Sequence, residues 1–133
     1  MIRTDIDIKD ALYDWVSSSN LASSISGRVY NDQRPLNSDV EDVVIAIIGR
    51  DAGTQIQEAI ANINVYVKDV RRGREAIEDK SRLRTLCTLA AECFEYYHFG
   101  YGIFSLESQE VLKAYDIDWH VINNRIRIRY NNE

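Results

Sequence analysis

The chain has 133 residues, of which 45% are apolar and 28% charged, with one proline and six glycines. This composition excludes disordered and fibrous proteins and predicts one packed domain over residues 1–133. No apolar run reaches the roughly 18 residues that a membrane span needs. Asp5 also comes too early for a signal-peptide segment. The sequence therefore predicts a soluble chain with no membrane partner.

The net charge of −5 is distributed unevenly. Between Arg71 and Arg84, six basic residues stand against three acids, and a second basic group lies near the C-terminus. This asymmetry favours contacts between unlike patches on neighbouring protein chains over sequence-specific binding of nucleic acid, for which a basic domain is expected. Ordinary solvated surface charge explains the pattern equally well.

The two cysteines, Cys87 and Cys93, are expected to be small core residues of a reduced protein. In a helix, they would lie about 9 Å apart along the axis and on divergent faces. That separation is too large for a disulfide.

The first predicted element is a helix capped by Asp5 or Asp7 and ended by the serines of residues 17–20. An extended segment over residues 25–30 and a polar loop over residues 31–39 follow. The loop holds the only proline, Pro35. The apolar side chains at helical spacing are Ile8, Ala11, Leu12, Trp15 and Val16.

A hairpin is predicted next. Residues 41–48 form a β-branched apolar run, which predicts a central strand buried on both faces. A turn over residues 51–54 leads to a second strand, which alternates with period two by residues 61–68. Residues 55–60 are expected to extend beyond the sheet or to pair elsewhere. The residues sharing the apolar face are Ala61, Ile63, Val65 and Val67.

A long helix is predicted over residues 74–99, ended by the Gly100-Tyr101-Gly102 segment. Three extended pieces follow at residues 103–106, 111–116 and 119–130, with a kink or turn at Asn123-Asn124. From residue 125 the alternation is strict. One face carries Ile126, Ile128 and Tyr130, and the other carries Arg125, Arg127 and Arg129.

These elements predict an α+β fold in the order α-β-β-β-α-β-β. The sheet is expected to be twisted and mainly antiparallel, with four to six strands. A long helix and a short N-terminal helix should pack on one of its faces.

A search for chemistry predicts no cofactor and no metal. His98 and His120 are the only histidines, and no residues show metal-ligand spacing. There is no glycine-rich phosphate loop and no G-x-S-x-G nucleophile motif. We therefore expect that the protein is not an enzyme.

The main enzymatic alternative is a metal-dependent nuclease, with carboxylates from Asp42, Asp51 and Glu58 on a strand hairpin. The lysine of an E-x-K element is missing, because Ile60 occupies the position two residues after Glu58. Acids at strand ends and turns are more commonly solvated surface residues.

The C-terminal arginine row supports three interpretations. Three like charges on one strand face are unfavourable unless acids or a partner lie opposite. The row could line a subunit contact, face a DNA-filled channel, or protect an edge strand from aggregation. Most of the aromatic residues are expected to pack in the core, and not to stack on bases.

As an arrangement of elements, nearly the whole chain resembles the small tail-completion proteins of long-tailed phages, which include tail terminator and head-to-tail joining proteins. That family has no catalytic signature to compare. The segments carrying the resemblance, between a short first helix and a long later helix with a final strand pair, are Gly27-Arg28-Val29-Tyr30, Arg34-Pro35-Leu36-Asn37-Ser38, Glu41-Asp42-Val43-Val44-Ile45 and Asn62-Ile63-Asn64-Val65-Tyr66-Val67.

The resemblance implies a homo-oligomeric ring, usually of six copies, that caps the tail tube and meets a head completion or connector protein. The ring would lie in the virion tail or neck, after assembly in the host cytoplasm. A small adaptor that binds a partner peptide at its sheet edge is the alternative. From exposure and charge, the expected subunit contacts are Arg34, Asn37, Asp39, Gln55, Gln57, Arg71, Arg72, Arg74, Arg125, Arg127 and Arg129.

Overall fold

The computed structural model describes residues 4–51, 56–115 and 117–131. In that part of the chain, helices pack on one side of a six-stranded sheet, which confirms the predicted α+β fold. The elements in chain order are α1 (Asp5–Ser17), α2 (Asn20–Ser24), β1 (Val29–Tyr30), β2 (Val43–Asp51), β3 (Ile56–Lys68), β4 (Val70–Arg72), β5 (Glu75–Ile77), α3 (Lys80–Phe94), β6 (Tyr96–Phe99), β7 (Gly102–Lys113) and β8 (Trp119–Asn131).

The strand order in the main sheet is β1-β2-β3-β8-β7-β6. Every neighbouring pair is antiparallel except β1 and β2, which run parallel at Val43 and Val44. The strands β4 and β5 form a separate two-stranded hairpin. The predicted, mainly antiparallel sheet of four to six strands is therefore confirmed.

The two central strands, β3 and β8, pair along their whole length, from Ile56 opposite Asn131 to Lys68 opposite Trp119. Both alternate between buried and more exposed positions. The predicted faces are confirmed. The core side includes Ala61, Ile63, Val65, Val67, Ile126, Ile128 and Tyr130.

The helices cover only this core face. From α1 come the buried side chains of Ile8, Leu12 and Val16, and from α3 those of Leu86 and Phe94. Trp15 joins them with an aromatic group: its ring lies 5.0 Å from that of Phe104, which stacks on Phe99 at 4.1 Å. The prediction that most aromatic residues lie in the core is confirmed for Trp15, Phe94 and Phe104 but is wrong for Tyr96 and Tyr97, which are 58% and 42% exposed.

The opposite side of the sheet, which we call the open face, carries the even-numbered residues of β3 and the odd-numbered residues of β8. Most of its side chains are exposed or half-buried. One end of the open face is covered by the loop of residues 31–39, whose Arg34 lies on Tyr66 and Trp119.

Two predictions near the N-terminus are corrected. The cap of α1 is Thr4, not Asp5 or Asp7, and Asp7 completes a capping box by accepting from the Thr4 backbone N–H. The predicted extended segment 25–30 contains a strand of only two residues. It is preceded by α2, because Ser19 caps a further helical turn.

The predictions for the hairpin are partly wrong. β2 is one strand away from the sheet edge, so it is not central, and its second half is exposed on the open face and at the edge. The predicted antiparallel pairing with β3 is confirmed. The described part of the predicted extension, residues 56–60, does not extend beyond the sheet. It pairs with β8 as well as with β2, so the alternative that this segment pairs elsewhere is confirmed. Gln55 and the turn residues 52–54 lie outside the described residues.

The predicted helix over residues 74–99 is too long at both ends. Gly73 adopts a φ of +63°, which lets β4 turn back into β5, and α3 begins only after its cap, Asp79. Residues 96–99 form β6, because three aromatic side chains favour a strand and can pair with β7. The Gly100-Tyr101-Gly102 segment therefore joins two strands and does not end a helix.

The C-terminal half has fewer breaks than expected. β7 runs without interruption from Gly102 to Lys113, with a β-bulge at Glu107. No kink occurs at Asn123-Asn124. The Asn124 side chain is fully buried, donates to the Ile63 carbonyl at 3.0 Å and accepts from Gln109 at 2.8 Å, so its polar atoms are satisfied within a regular strand.

The cysteine thiols of Cys87 and Cys93 are both free. Among the helices of the described segments, none is long and apolar enough to cross a membrane.

Candidate interaction surfaces

Arg34 anchors the loop of residues 31–39 to the sheet. The guanidinium carbon lies 4.4 Å from the ring centres of both Tyr66 and Trp119, so the cation is stacked between two aromatic faces. The same group donates to the Asp42 carboxylate at 3.2 Å and to the Val40 carbonyl at 2.8 Å. Arg34 is only 14% exposed, so it anchors the loop from within and is not the exposed contact that we expected.

Asp42 is the buried centre of this anchor. Its carboxylate accepts from the Arg28 backbone N–H at 3.0 Å and from the Ser38 hydroxyl, in addition to Arg34. A β-carbon at Gly27 would lie 2.2 Å from an Asp42 oxygen, so the chain needs glycine at this close approach. The carboxylate therefore joins the loop, β1 and the start of β2.

This anchoring presents the loop tip to solvent. Leu36 is 87% exposed, and Asn37 has a φ of +63°, a left-handed conformation that asparagine tolerates. Asp39 is also exposed and pairs with Lys68. A groove of about 930 Å³ lies beside the tip, with a mixed apolar and charged lining that includes Ile117 and Arg71. Asn37 and Asp39 are thus accessible, as predicted.

The arginine row lies on the open face of β8, in the middle of the sheet. Arg125 and Arg127 contact the Glu107 carboxylate at 2.9 and 3.1 Å. Arg129 contacts Glu58 at 3.2 Å. The interpretation as edge-strand protection is wrong, because β8 is a central strand. The acids opposite the row explain how three like charges coexist there.

The basic segment around residue 72 is an exposed hairpin, not the start of a helix. Arg71 pairs with Asp118 at 3.1 Å, and Arg72 pairs with Glu75 at 3.2 Å. Both side chains are about two-thirds exposed or more, at 65% and 72%. Arg74 is exposed in the turn of the same hairpin. These arginines remain accessible, although two of them already have an acidic partner.

Gln57 is not a surface residue. It is 4% exposed and accepts a hydrogen bond from Arg50 at 3.2 Å. Arg50 also donates to the Tyr130 hydroxyl at 2.6 Å, and this bond raises the pKa of the arginine. The alternation of β3 explains the error, because position 57 falls on the core side.

The two long edges of the sheet are unlike one another. At one edge, β1 pairs with β2 at Val43 and Val44, and no other described strand pairs with the outer side of β2. At the opposite edge, β6 pairs with β7 over residues 102–105. Within the described chain, the outer sides of residues 45–51 and 107–113 therefore have no strand partner. We call these stretches the β2 edge and the β7 edge.

Apolar side chains lie along both edges. Ile48 is 49% exposed at a β-bulge of the β2 edge, and Val111 and Leu112 are 39% and 44% exposed on the β7 edge. Unpaired strand edges with apolar side chains are templates for pairing with another chain. The sequence did not reveal these edges, because which strands lie outermost depends on topology and not on the pattern of any one strand.

Two of the three carboxylates of the nuclease alternative, those of Asp42 and Glu58, lie far apart along the hairpin. Asp42 is buried just before β2, whereas Glu58 pairs with Asp51 at the other end of that strand. The Asp51 side chain lies outside the described set. Among the described residues, no cluster of three or more His, Cys, Asp or Glu side chains could hold a metal ion.

One buried acid–base pair was not predicted. The Asp69 carboxylate is 1% exposed and lies 2.6 Å from Nδ1 of His120, with the Lys113 amine at 3.9 Å from its other oxygen. Such a carboxylate can orient an imidazole. Here the pair joins the end of β3 to the hairpin of β7 and β8, and Lys113 donates to the Ala114 carbonyl of the same turn.

No protein-family model matches the sequence, and no curated protein matches it significantly.

Proposed function

We propose that this chain is a structural protein of a phage virion that assembles with copies of itself into a ring. By its resemblance to tail terminator and head-to-tail joining proteins, the ring would cap the tail tube and connect it to a head completion or connector protein. It would act in the virion tail or neck, without enzymatic activity.

The observation that carries this proposal is the pair of unlike sheet edges, the β2 edge and the β7 edge, to which no further strand of the described residues is added. A ring needs a heterologous interface, in which one surface of each copy binds a different surface of the next. The β2 edge and the β7 edge are the two opposite edges of the same sheet, and both carry exposed apolar side chains. In a closed ring with this interface, both edges of every copy would pair with a neighbouring copy.

The charges of the open face also support an assembly protein. Glu58 and Glu107 balance much of the arginine row within the chain. Binding of a DNA backbone would require a surplus of unpaired cations. The arginine row is better explained as part of a charged surface whose ion pairs lie within one chain than as a nucleic-acid site.

Mass measurement in solution tests the ring. Light scattering during size-exclusion chromatography, over a range of protein concentrations, should give a mass several times 15.4 kDa. Electron microscopy with purified tail tubes should show ring-shaped caps at the tube ends. A chain that stays monomeric at high concentration and does not bind tail tubes contradicts the proposal.

The second candidate is an adaptor that binds a partner peptide as an added strand. The β7 edge favours it, because this edge is regular over residues 108–113 and all of its side chains except that of Gln109 are exposed. An adaptor would remain a 15.4 kDa monomer in solution and bind a single extended peptide. The same mass measurement therefore separates the two functions.

A further inference from the structure

We infer that neighbouring copies join by antiparallel pairing of the β2 edge of one copy with the β7 edge of the next, shifted by four residues along the strands. The sheets of the ring would then be continuous. This inference rests on the proposed ring, and it specifies which backbone groups make the contact.

On the β2 edge, the outward-pointing residues follow from two hydrogen bonds. The Val43 N–H donates outward to the carbonyl of Arg28, the residue before β1, at 2.9 Å, whereas the Tyr66 N–H of β3 donates to the Asp42 carbonyl. Backbone groups alternate in direction along a strand. The backbone N–H and C=O groups of Ile45 and Ile47 therefore point away from β3, toward the outer side of the β2 edge.

On the β7 edge, the same reasoning gives three residues. The Ala114 N–H donates to Trp119 and so faces β8, whereas the Leu106 N–H points outward to Glu95. Because the direction alternates along the strand and is shifted by the β-bulge at Glu107, the backbone groups of Gln109, Val111 and Lys113 point outward. The backbone N–H and C=O groups of these three residues thus point away from β8, as those of Ile45 and Ile47 point away from β3.

The offset between the edges follows from the strand register. We number each row of the sheet by its β3 residue. The β2 edge spans rows 58 to 63, and the regular part of the β7 edge, residues 108–113, spans rows 62 to 67. A shift of four rows superimposes them. It places Ile45 opposite Lys113, Ile47 opposite Val111 and Arg50 opposite Gln109.

With this shift, the outward backbone N–H and C=O groups of the two edges lie opposite one another. The core faces of the two copies are also on the same side of the joined sheet. An even shift is required, because an odd one exchanges the core face and the open face. A shift of two rows would push the β7 edge into β1, which occupies rows 64 and 65. A shift of six rows would place Ile45 beyond Lys113 and leave it without a residue opposite. A shift of four rows is therefore the best fit.

The side chains brought together by this shift are compatible. Val111 faces Ile47 on the core side, and Leu112 faces Ala46 on the open side. Glu110 falls opposite Gly49, so no like charges lie directly across the contact. The exposed apolar surface of Val111 and Leu112, at 39% and 44%, would be covered by the neighbouring strand.

The same shift has the geometry of a closed barrel. In the ring, β1 of one copy would continue the line of its neighbour's β7, and β6 would continue the line of its neighbour's β2. Each copy would therefore add four strands to the circumference, namely β2, β3, β8 and β7. A four-residue shift is about 13 Å along the strands, and four columns are about 19 Å across them. The strands would therefore tilt by about 35° from the ring axis, within the usual range of about 35–45° for closed barrels. The tilt does not depend on the number of copies.

Cysteine cross-linking tests the register. Ala46→Cys and Leu112→Cys would be combined in one chain whose native cysteines are replaced by alanine. Between copies these positions form a non-hydrogen-bonded pair with Cα atoms about 4.5 Å apart, a distance that a disulfide can bridge. Within one copy they are separated by β3 and β8. Oxidation should give a ladder of covalent multimers beyond the dimer on a non-reducing gel.

The matched control is Ala46→Cys with Glu110→Cys, which lies on the same face two residues along β7. Its Cα separation of about 7–8 Å should reduce cross-linking at least tenfold. Assembly of the Ala46/Leu112 variant without a ladder, or with dimers alone, would overturn the edge pairing and leave the ring proposal intact. A mass of 15.4 kDa at every concentration would overturn both.

A proline variant tests the backbone contact itself. Val111→Pro removes an outward N–H while retaining the hydrogen bonds of β7 to β8. It should raise the concentration needed for half-maximal assembly at least tenfold, with the circular dichroism spectrum of the monomer unchanged. Val111→Thr keeps the N–H and the β-branched shape, so it should assemble normally. Equal assembly of the two variants would also refute the edge pairing.

Discussion

Replacing Arg34 with methionine tests whether the cation holds the loop of residues 31–39 on the sheet. Methionine keeps much of the apolar length but removes the charge that faces Asp42, which is fully buried. Removing one partner of a buried ion pair typically costs about 3–5 kcal/mol, because the other charge is left uncompensated. The cation–π contacts of the Arg34 guanidinium with the Tyr66 and Trp119 rings are lost as well. We therefore expect Arg34→Met to lower the free energy of unfolding by about 3–5 kcal/mol.

The assay is urea unfolding followed by circular dichroism, with a parallel thermal scan. For a chain of this size, the expected loss corresponds to a decrease in Tm of about 10–20 °C. The matched control is Arg84→Met on the exposed side of α3, which should change stability by about 0.5 kcal/mol or less.

A double variant isolates the ion pair from the packing. Adding Asp42→Asn to Arg34→Met removes the uncompensated charge, so the double variant should be less destabilised than the sum of the single variants by at least about 1 kcal/mol. A loss below about 1 kcal/mol for Arg34→Met alone, or strict additivity in the double variant, would refute the reasoning.

Two further predictions concern the core and a thiol. Phe104→Ala should cost about 3–5 kcal/mol in urea unfolding, because its buried ring stacks between Trp15 and Phe99. Tyr96→Ala, at a ring that is 58% exposed, is the control, and equal costs would contradict this account. Burial raises the pKa of the Cys87 thiol, so at pH 8 its alkylation by iodoacetamide, followed by mass spectrometry, should be slower in the folded protein than in urea. The folded rate should continue to rise as the pH passes the ordinary thiol pKa, and equal rates in both states would exclude the burial effect.

The sequence predicted the fold class and the two faces of the central strands because both depend on local periodicity. The alternation at Ile63, Val65 and Val67, and again at Ile126 and Ile128, has one arrangement that buries the apolar side chains. The sequence could not distinguish a helix from strands over residues 74–99. There, the glycine turn of a hairpin and an aromatic strand lie on either side of a genuine helix, and pairing with distant residues decides the outcome.

The candidate surfaces were less predictable. Arg34 and Gln57 are polar residues, for which exposure is the ordinary expectation, yet each is buried by contacts from a distant segment. The arginine row was recognised, but its acidic partners, Glu58 and Glu107, lie on other strands. Asn37 and Asp39 were correctly expected to be exposed, because a loop of polar residues lacks an apolar pattern to bury it.

The β-bulge at Ile48 has a consequence for how the chain behaves before it meets its partners. Fibril-forming segments need about six or seven uninterrupted residues that can stack identically, copy upon copy. The bulge divides the β2 edge into pieces of three residues, so the isoleucines before it cannot extend into such a segment. The β2 edge can therefore pair with a complementary strand of a neighbouring copy, whereas stacking of identical β2 strands into amyloid during synthesis is disfavoured.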